Sequence, residues 1–122
     1  MNRKKILVVD DVESIAKIIT LTMRNTHDVF WIEDSIKATQ WMEEGNVPDL
    51  IISDLYMPLE KGDKFLNRVK AHPLYKYIPF FILSGEDSTS ERVRLLSEGA
   101  DDFVVKPFNP LELKIRINKF LS

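Results

Sequence analysis

Short apolar runs alternate along the chain with longer segments whose apolar residues recur at helical spacing. The runs are continuous rather than alternating with polar residues, which is typical of strands that are covered on both faces of a parallel sheet. The sequence predicts five strands, at residues 5–9, 29–32, 50–53, 80–83 and 102–105.

The segments between and after these runs predict amphipathic helices, the first of them over residues 13–25. Polar caps, glycines and prolines mark where the helices begin and end. The expected caps and stops are Asp34 or Ser35, Gly45, Pro73, Ser88 with Glu91, Gly99, and Asn109 with Pro110 and Glu112. The apolar faces are expected to include Ile15, Ile18, Ile19, Thr22, Met23, Ile36, Thr39, Trp41, Met42, Phe65, Leu66, Val69, Leu113, Ile117, Phe120 and Leu121.

This alternation of strands and helices favours an α/β fold in which a parallel sheet lies between two helical layers. Because crossovers between parallel strands are right-handed, few strand orders remain. We expect the flavodoxin-like order 2-1-3-4-5, a doubly wound three-layer sandwich. The chain has 122 residues, the length of one domain, and we expect residues 1–122 to form a single domain.

Composition narrows the possible functions. The chain has no cysteine, which excludes disulfides, thiolate metal sites and cysteine nucleophiles. The net charge of -2 does not indicate nucleic acid or an anionic membrane as a partner. No apolar run is long enough to span a membrane, and residues 6–9 are too few for the core of a signal peptide. We therefore expect a cytoplasmic protein with no direct contact to nucleic acid or membrane.

Polar residues follow four of the five predicted strands directly. Asp10 and Asp11 follow the first strand, Asp54 the third, Ser84 the fourth and Lys106 the fifth. In open α/β sheets, ligands bind outside the carboxyl ends of the strands, where the strand order reverses. In the order 2-1-3-4-5 that point lies between the first and third strands, so three carboxylates are expected to meet there.

Three carboxylates in one crevice need compensating positive charge. Two of them about 4 Å apart repel each other by roughly 4 kcal/mol at an effective dielectric constant near 20. A hard divalent cation with oxygen ligands can supply the charge, and Mg2+ suits a site that also receives phosphate oxygens. Mg2+ and the Lys106 ammonium would then form a pocket for a phosphoryl group, with Asp54 as its nucleophile.

Taken singly, each of these residues has an ordinary structural explanation. Asp10 or Asp11 alone is more often a helix cap or a loop residue, and for Asp54 alone the two interpretations are about equally frequent. Lys106 alone is typical of a surface lysine, and Ser84 alone of a turn. Their joint placement at four strand ends is what favours a functional site.

The motifs resemble those of two-component response-regulator receiver domains. The resemblance is carried by Val8-Val9-Asp10-Asp11, by Asp54-Leu55-Tyr56-Met57-Pro58 with Gly62, by Ser84-Gly85 and by Lys106-Pro107-Phe108. It extends from about Lys4 to about Leu121, with the motifs in the order and spacing of that family. It implies that residues 1–122 are a single receiver domain, similar to chemotaxis regulators.

The resemblance implies a role for each motif residue. Asp54 would accept the phosphoryl group, and Asp11, Asp54 and the backbone carbonyl of Tyr56 would bind Mg2+ directly. Asp10 would act through a metal-bound water. Lys106 and Ser84 would contact the phosphoryl group, and Phe103 would be the aromatic that follows Ser84 inward. The peptide bond before Pro107 is expected to be cis.

Two positions depart from the common pattern of the family. Tyr56 is bulky where a smaller polar residue is frequent, and its ring is expected to cover the phosphoryl group and slow hydrolysis. Phe103 replaces a frequent tyrosine, and a plain core role for it is about as well supported as a switch role.

The resemblance also implies the partners of the chain. The phosphodonor would be a sensor histidine kinase or a histidine phosphotransfer protein, and a downstream output protein or domain would read the result. We expect a monomer or a phosphorylation-dependent homodimer. We do not expect an enzyme beyond its own phosphotransfer and slow dephosphorylation.

Three alternatives belong to other classes. A degenerate receiver would act as a phosphorylation-independent interaction module, but such modules usually lose an acid or the lysine. An aspartate-based phosphohydrolase usually carries a second acid two residues after its nucleophile, where this chain has Tyr56. A flavodoxin would need a phosphate loop rich in serine, threonine and glycine after the first strand.

Overall fold

Five parallel strands form one sheet in the order β2-β1-β3-β4-β5, as the sequence predicts. The computed structural model describes residues 3–121, so residues 1, 2 and 122 of the predicted domain lie outside it. The strands are β1 (Lys5–Val9), β2 (Asp28–Ile32), β3 (Leu50–Asp54), β4 (Phe80–Ser84) and β5 (Asp102–Val105). Every neighbouring pair is parallel, which places all carboxyl ends at one edge of the sheet.

Helices cover both faces of the sheet and confirm the predicted three-layer sandwich. They are α1 (Glu13–Met23), α2 (Ser35–Glu43), α3 (Gly62–Ala71), α4 (Thr89–Ser97) and α5 (Pro110–Leu121). One core packs α1 and α5 against the sheet, and the other packs α2, α3 and α4 against its opposite face. Within residues 3–121, none of the helices has the length and hydropathy to cross a membrane.

The central strands are buried on both faces, as continuous apolar runs predict. Every residue of β3 and β4 is buried, as are residues 6–9 of β1. The edge strand β2 is different, because each of its residues is at least partly exposed. Polar groups at the carboxyl ends of β1 and β3 therefore lie at the rim of a dry core.

The predicted caps hold the helix ends. The Asp34 carboxylate accepts the Lys37 N–H at the start of α2, and the Ser88 hydroxyl accepts the Glu91 N–H at the start of α4. Asn109 likewise accepts the backbone N–H groups of the second and third residues of α5. Gly45 and Gly99 follow α2 and α4 with φ angles of 103° and 113°, a conformation that favours glycine.

Some details of the helix predictions are wrong. α1 ends at Met23 rather than at residue 25. Ile18 and Ile36, expected on the inner faces of α1 and α2, are 40% and 41% exposed. Ala16 and Ala38 occupy the inner positions instead, because the helices pack closely against the sheet there. Helical spacing of apolar residues did not distinguish these two faces.

Gly62 allows the loop after β3 to fold back against the strand end. Its N–H donates to the Leu55 carbonyl at 2.8 Å. A Cβ atom at this position would penetrate the Asp54 carbonyl oxygen and lie 3.0 Å from the Leu55 Cα. These neighbours are backbone atoms and cannot move aside as a flexible side chain would. The close approach therefore needs glycine at this position.

A partly buried ion pair anchors the same loop to two helices. Arg68 of α3 donates to both carboxylate oxygens of Glu60, at 2.6 and 2.8 Å. The Ser35 hydroxyl at the start of α2 also donates to Glu60, at 2.6 Å. Arg68 donates in addition to the Thr39 hydroxyl of α2, at 2.7 Å. Bidentate pairing with Arg68, above all, lowers the pKa of the Glu60 carboxyl. The loop that follows Asp54 is thus fixed by charge as well as by close packing.

Replacing Gly62 by alanine should strongly destabilise the fold. We expect Gly62→Ala to lower the free energy of unfolding by about 2–3 kcal/mol, because the added methyl group meets backbone. Urea unfolding measures the change. Gly85→Ala is the matched control, since a Cβ there meets nothing within 4 Å, and it should change the free energy by less than about 0.5 kcal/mol. Equal effects of the two substitutions would contradict the close-approach argument.

Replacing Glu60 by glutamine should destabilise the protein in a pH-dependent way. A lowered folded-state pKa contributes stability above the ordinary glutamate pKa of about 4.3, and this is lost as the pH falls through the folded value. At pH 7 we expect Glu60→Gln to cost about 1.5–3 kcal/mol, the range for hydrogen bonds to charged groups. Urea unfolding between pH 7 and pH 3 should show the two proteins converging in acid.

The control for this substitution is Glu13→Gln, which alters an exposed pair with Lys17 at 3.2 Å. Its cost should stay below about 0.5 kcal/mol at every pH. A Glu60→Gln effect that is equally small, or that does not change with pH, would mean that the ion pair does not hold the loop.

Candidate functional site

Three aspartates converge at the carboxyl edge of the sheet. Asp10 and Asp11 follow β1, and Asp54 is the last residue of β3, the strand next to β1. Each contributes a carboxylate oxygen to a cluster in which these atoms lie within 4.8 Å of one another. Asp10 and Asp54 are buried and Asp11 is exposed, so the cluster is open to solvent on one side. The strand-end argument predicts this convergence, and the structure brings the three side chains together.

Lys106 supplies the positive charge nearest to the cluster. Its ammonium lies 3.0 Å from an Asp10 oxygen and 3.3 Å from an Asp54 oxygen. The backbone N–H of Lys106 donates to the Ser84 carbonyl at 2.7 Å, which ties the end of β5 to the end of β4. The peptide bond between Lys106 and Pro107 is cis. One ammonium therefore bridges two of the three acids.

The environment of Asp54 disfavours its charged form. Burial, above all, raises the pKa of the Asp54 carboxyl, and the neighbouring Asp10 charge adds to the effect. The Lys106 ammonium and the Tyr56 backbone N–H oppose the rise without cancelling it. Lys106 alone thus leaves the cluster short of positive charge, and a further cation beside Asp54 would stabilise the carboxylates.

The donor atoms of the cluster suit a hard divalent cation. All three ligand groups are carboxylates, and oxygen is the donor that Mg2+ and Ca2+ prefer. Asp11 is exposed, which leaves room for the water ligands that Mg2+ keeps. The residues present therefore fit the cation that the sequence predicts.

Tyr56 lies at the rim of the site. Its side chain is 45% exposed, and its hydroxyl lies 3.4 Å from a Glu86 carboxylate oxygen. The Lys61 ammonium lies 4.9 Å from the centre of its ring. The phenol therefore connects the loop after β3 with the loop after β4, a link that the sequence did not suggest.

Ser84 is the last residue of β4, and Phe103 lies on the neighbouring strand β5. Ser84 is fully buried, and its hydroxyl accepts the Glu86 N–H at 3.1 Å. Phe103 is buried in the core beneath α4, and the Arg92 guanidinium lies 5.5 Å from the centre of its ring. Arg92 also pairs with Asp87, in the loop after β4. These contacts link the loop after β4 with α4 and β5.

Sequence reasoning missed one contact to the acid cluster. The indole N–H of Trp31 donates to the Asp10 carbonyl oxygen at 2.7 Å. Trp31 lies on the edge strand β2, where its side chain is 41% exposed. In the sequence it is marked only as a large aromatic within a predicted strand. Contacts of this kind depend on the reach of one side chain across a turn, which periodicity does not reveal.

Known proteins with similar sequences share this architecture. The family model of the response regulator receiver domain matches residues 6–118. The transcriptional regulatory protein PhoP of Bacillus subtilis, which is named for alkaline phosphatase synthesis, is 34% identical over 119 residues. This match covers 97% of the chain and 48% of PhoP. A chemotaxis protein CheY homolog of Campylobacter jejuni is 30% identical over 120 residues, which is 97% of the chain and 92% of that protein.

The solved structure of the chemotaxis response regulator CheY4 of Vibrio cholerae superimposes with a TM-score of 0.90 at 30% identity. The superposition covers 98% of this chain and 99% of that one. By contrast, the chain spans only 12% to 48% of the length of several curated relatives, so those proteins contain further segments. A match over nearly all of the described fold, together with the acid cluster and its lysine, places the chain in the response regulator receiver domain family.

Proposed function

We propose that this receiver domain is a phosphorylation-dependent switch that accepts a phosphoryl group on Asp54. The observation that carries the proposal is the cluster of Asp10, Asp11 and Asp54 within 4.8 Å, with Lys106 bridging two of its members. Such a site combines a nucleophile with compensating positive charge, which is what phosphoryl transfer requires. A phosphohistidine on a sensor kinase or a histidine phosphotransfer protein would be the donor.

The transfer itself needs one nucleophilic oxygen and little other chemistry from the protein. An oxygen of Asp54 forms a bond to phosphorus while the bond from phosphorus to the donor's histidine nitrogen breaks. The imidazole keeps that electron pair and takes up a proton from solvent. Lys106 lies 3.3 Å from Asp54 and is placed to pair with an oxygen of the incoming group.

We assign the compensating cation as Mg2+, which Asp11, Asp54 and the Tyr56 carbonyl would hold directly and Asp10 would hold through a water. When bound, Mg2+ would neutralise charge that develops on the phosphoryl oxygens. Asp10 accepts the Val12 N–H at 2.9 Å and the Lys106 ammonium at 3.0 Å, so its carboxylate is already positioned. Asp11 is exposed and is free to contribute an oxygen to the cation.

Phosphorylation would act on the surface formed by α4, β5 and α5. The phosphoryl group carries more charge and more acceptor oxygens than the carboxylate it replaces. Ser84 would exchange its bond to the Glu86 N–H for one to a phosphoryl oxygen, and Phe103 would respond. Phe103 is already buried beneath Arg92, so any rotation of its ring would disturb the contact with α4. A partner that reads this surface would sense the change.

The output would be binding rather than substrate turnover. The chain would catalyse only its own phosphorylation and slow hydrolysis, as a monomer or as a phosphorylation-dependent homodimer. A downstream output protein or domain would read the α4-β5-α5 surface. A phosphorylation-independent module is less well supported, because the three acids and Lys106 are all present and lie together in this fold.

Removing the nucleophile should abolish phosphorylation. Acetyl phosphate with Mg2+ should add one phosphoryl group to the wild type, since Asp54 attacks phosphorus and acetate leaves. Intact-protein mass spectrometry should show no added group in Asp54→Asn. Asp28→Asn is the control, because Asp28 is exposed and pairs only at the surface with Arg3 at 2.9 Å. Undiminished labelling of Asp54→Asn would refute the assignment of the nucleophile.

Mg2+ should stabilise the wild type through Asp11. At a concentration about 100 times its Kd, a ligand adds about 2.7 kcal/mol of stability, which corresponds to a rise in Tm of roughly 10 °C for this size. Thermal unfolding of Asp11→Ala should show less than about a third of that rise. Glu13→Ala removes an exposed acid from the same end of α1 and should keep the full rise. Equal rises in wild type and Asp11→Ala would mean that the cation binds elsewhere.

A further inference from the structure

One hydrogen bond from a side chain reaches the peptide unit between two of the acids. The Trp31 indole N–H donates to the Asp10 carbonyl oxygen at 2.7 Å. This carbonyl belongs to the peptide that joins Asp10 to Asp11. Because a peptide unit is planar, the direction of the carbonyl sets the orientation of the N–Cα bond with which Asp11 begins. The contact therefore acts on the site through the backbone, although Trp31 is not one of the acidic residues.

The bond is formed where the regular ladder between β1 and β2 ends. In the strand register Trp31 pairs with Val8, two residues before Asp10. The Asp10 N–H still donates to the Ile32 carbonyl at 3.2 Å, as in a continuing ladder. Beyond that point the chain turns toward α1, and the indole donates to the Asp10 carbonyl oxygen at this turn. The Trp31 side chain thus continues the hydrogen bonding between β1 and β2 by one peptide unit beyond the backbone ladder.

The two acids differ in how they are held. The Asp10 carboxylate is buried and has its own partners, the Val12 N–H and the Lys106 ammonium. Asp11 is exposed, so its carboxylate takes its direction mainly from the backbone that carries it. Of the two, Asp11 is therefore the one whose position depends more on the orientation of the preceding peptide.

The ring of Trp31 also lies beside the helix that follows the turn. It lines a shallow groove together with Ala16, Thr20 and Leu21 of α1, a helix that begins only two residues after Asp11. The indole therefore bonds to the end of β1 through its N–H and shares a groove with α1. This placement gives a structural use to a large aromatic that is 41% exposed on an edge strand.

We propose that Trp31 is a positioning residue that orients the Asp10–Asp11 peptide and thereby holds the Asp11 carboxylate in place for the divalent cation. The inference rests on the proposed function and adds a specific determinant of cation affinity to it. Trp31 would raise the affinity for Mg2+ without contacting the cation.

The test compares the two tryptophans of the chain. Trp31→Phe keeps an aromatic ring and removes the N–H donor. Trp41→Phe is the matched control, because Trp41 lies on α2 and packs against Phe30, with ring centres 5.3 Å apart. Isothermal titration with Mg2+ should show a Kd about three- to tenfold higher for Trp31→Phe, as expected for the loss of one neutral hydrogen bond. Trp41→Phe should stay within about twofold of wild type.

A second variant separates the hydrogen bond from packing. Replacement of Trp31 by 3-benzothienylalanine keeps the shape of the ring and substitutes sulfur for the N–H. It should weaken Mg2+ binding as much as Trp31→Phe does, while its Tm without Mg2+ stays close to that of the wild type. This variant also keeps the test valid if Trp31→Phe does not fold.

Fluorescence gives an independent readout. In Trp41→Phe, Trp31 is the sole tryptophan, and its emission should change with Mg2+ over the same concentrations as the calorimetric titration. In Trp31→Phe, the emission of Trp41 should not respond to Mg2+.

Failure of the proposed cation site and failure of the proposed role of Trp31 give different results. If the wild type binds no Mg2+, the proposed function fails and this inference fails with it. If the wild type binds Mg2+ and both Trp31 variants bind it equally well, the positioning role of Trp31 is refuted and the proposed function stands.

Discussion

Electrostatic repulsion among three carboxylates is the constraint on which the rest of this structure depends. Parallel pairing of β1 with β3 places the oxygens of Asp10, Asp11 and Asp54 within 4.8 Å of one another, at the edge of a core that excludes water. Burial raises the pKa of Asp54, and the single ammonium of Lys106 is shared between two acids. The fold thus maintains a local excess of negative charge, which makes the site responsive to a cation and to a phosphoryl group.

The segments around the cluster hold it in place by three different physical means. Gly62 lets the loop after β3 approach the Asp54 backbone more closely than any side chain would permit. Glu60 fixes the same loop through a bidentate ion pair with Arg68. On the other side, the Trp31 indole donates to the peptide that leads into Asp11. Packing, ion pairing and a directed hydrogen bond together restrain the turns that carry the acids.

The fold and the acid cluster could be predicted because they follow from the order of elements in the chain. Strands that alternate with helices place Asp54 and Lys106 at one edge of the sheet, whatever their side chains touch. The anchoring contacts of Glu60 and Trp31 could not be predicted, because each depends on how far one side chain reaches across a turn. Ile18 was placed on the wrong face of α1 because apolar spacing is compatible with two faces, and only packing against the sheet selects the small Ala16.

The central claim is that a divalent cation binds at this one cluster, and paramagnetic NMR tests it most directly. Mn2+ can replace Mg2+ at oxygen sites and broadens the amide signals of nearby residues. Substoichiometric Mn2+ added to the 15N-labelled protein should broaden the signals of residues 10–12 and 54–56 first, and excess Mg2+ should restore them. Broadening centred on another acidic surface, such as the one formed by Glu91 of α4 and Glu98 just after that helix, would contradict the account.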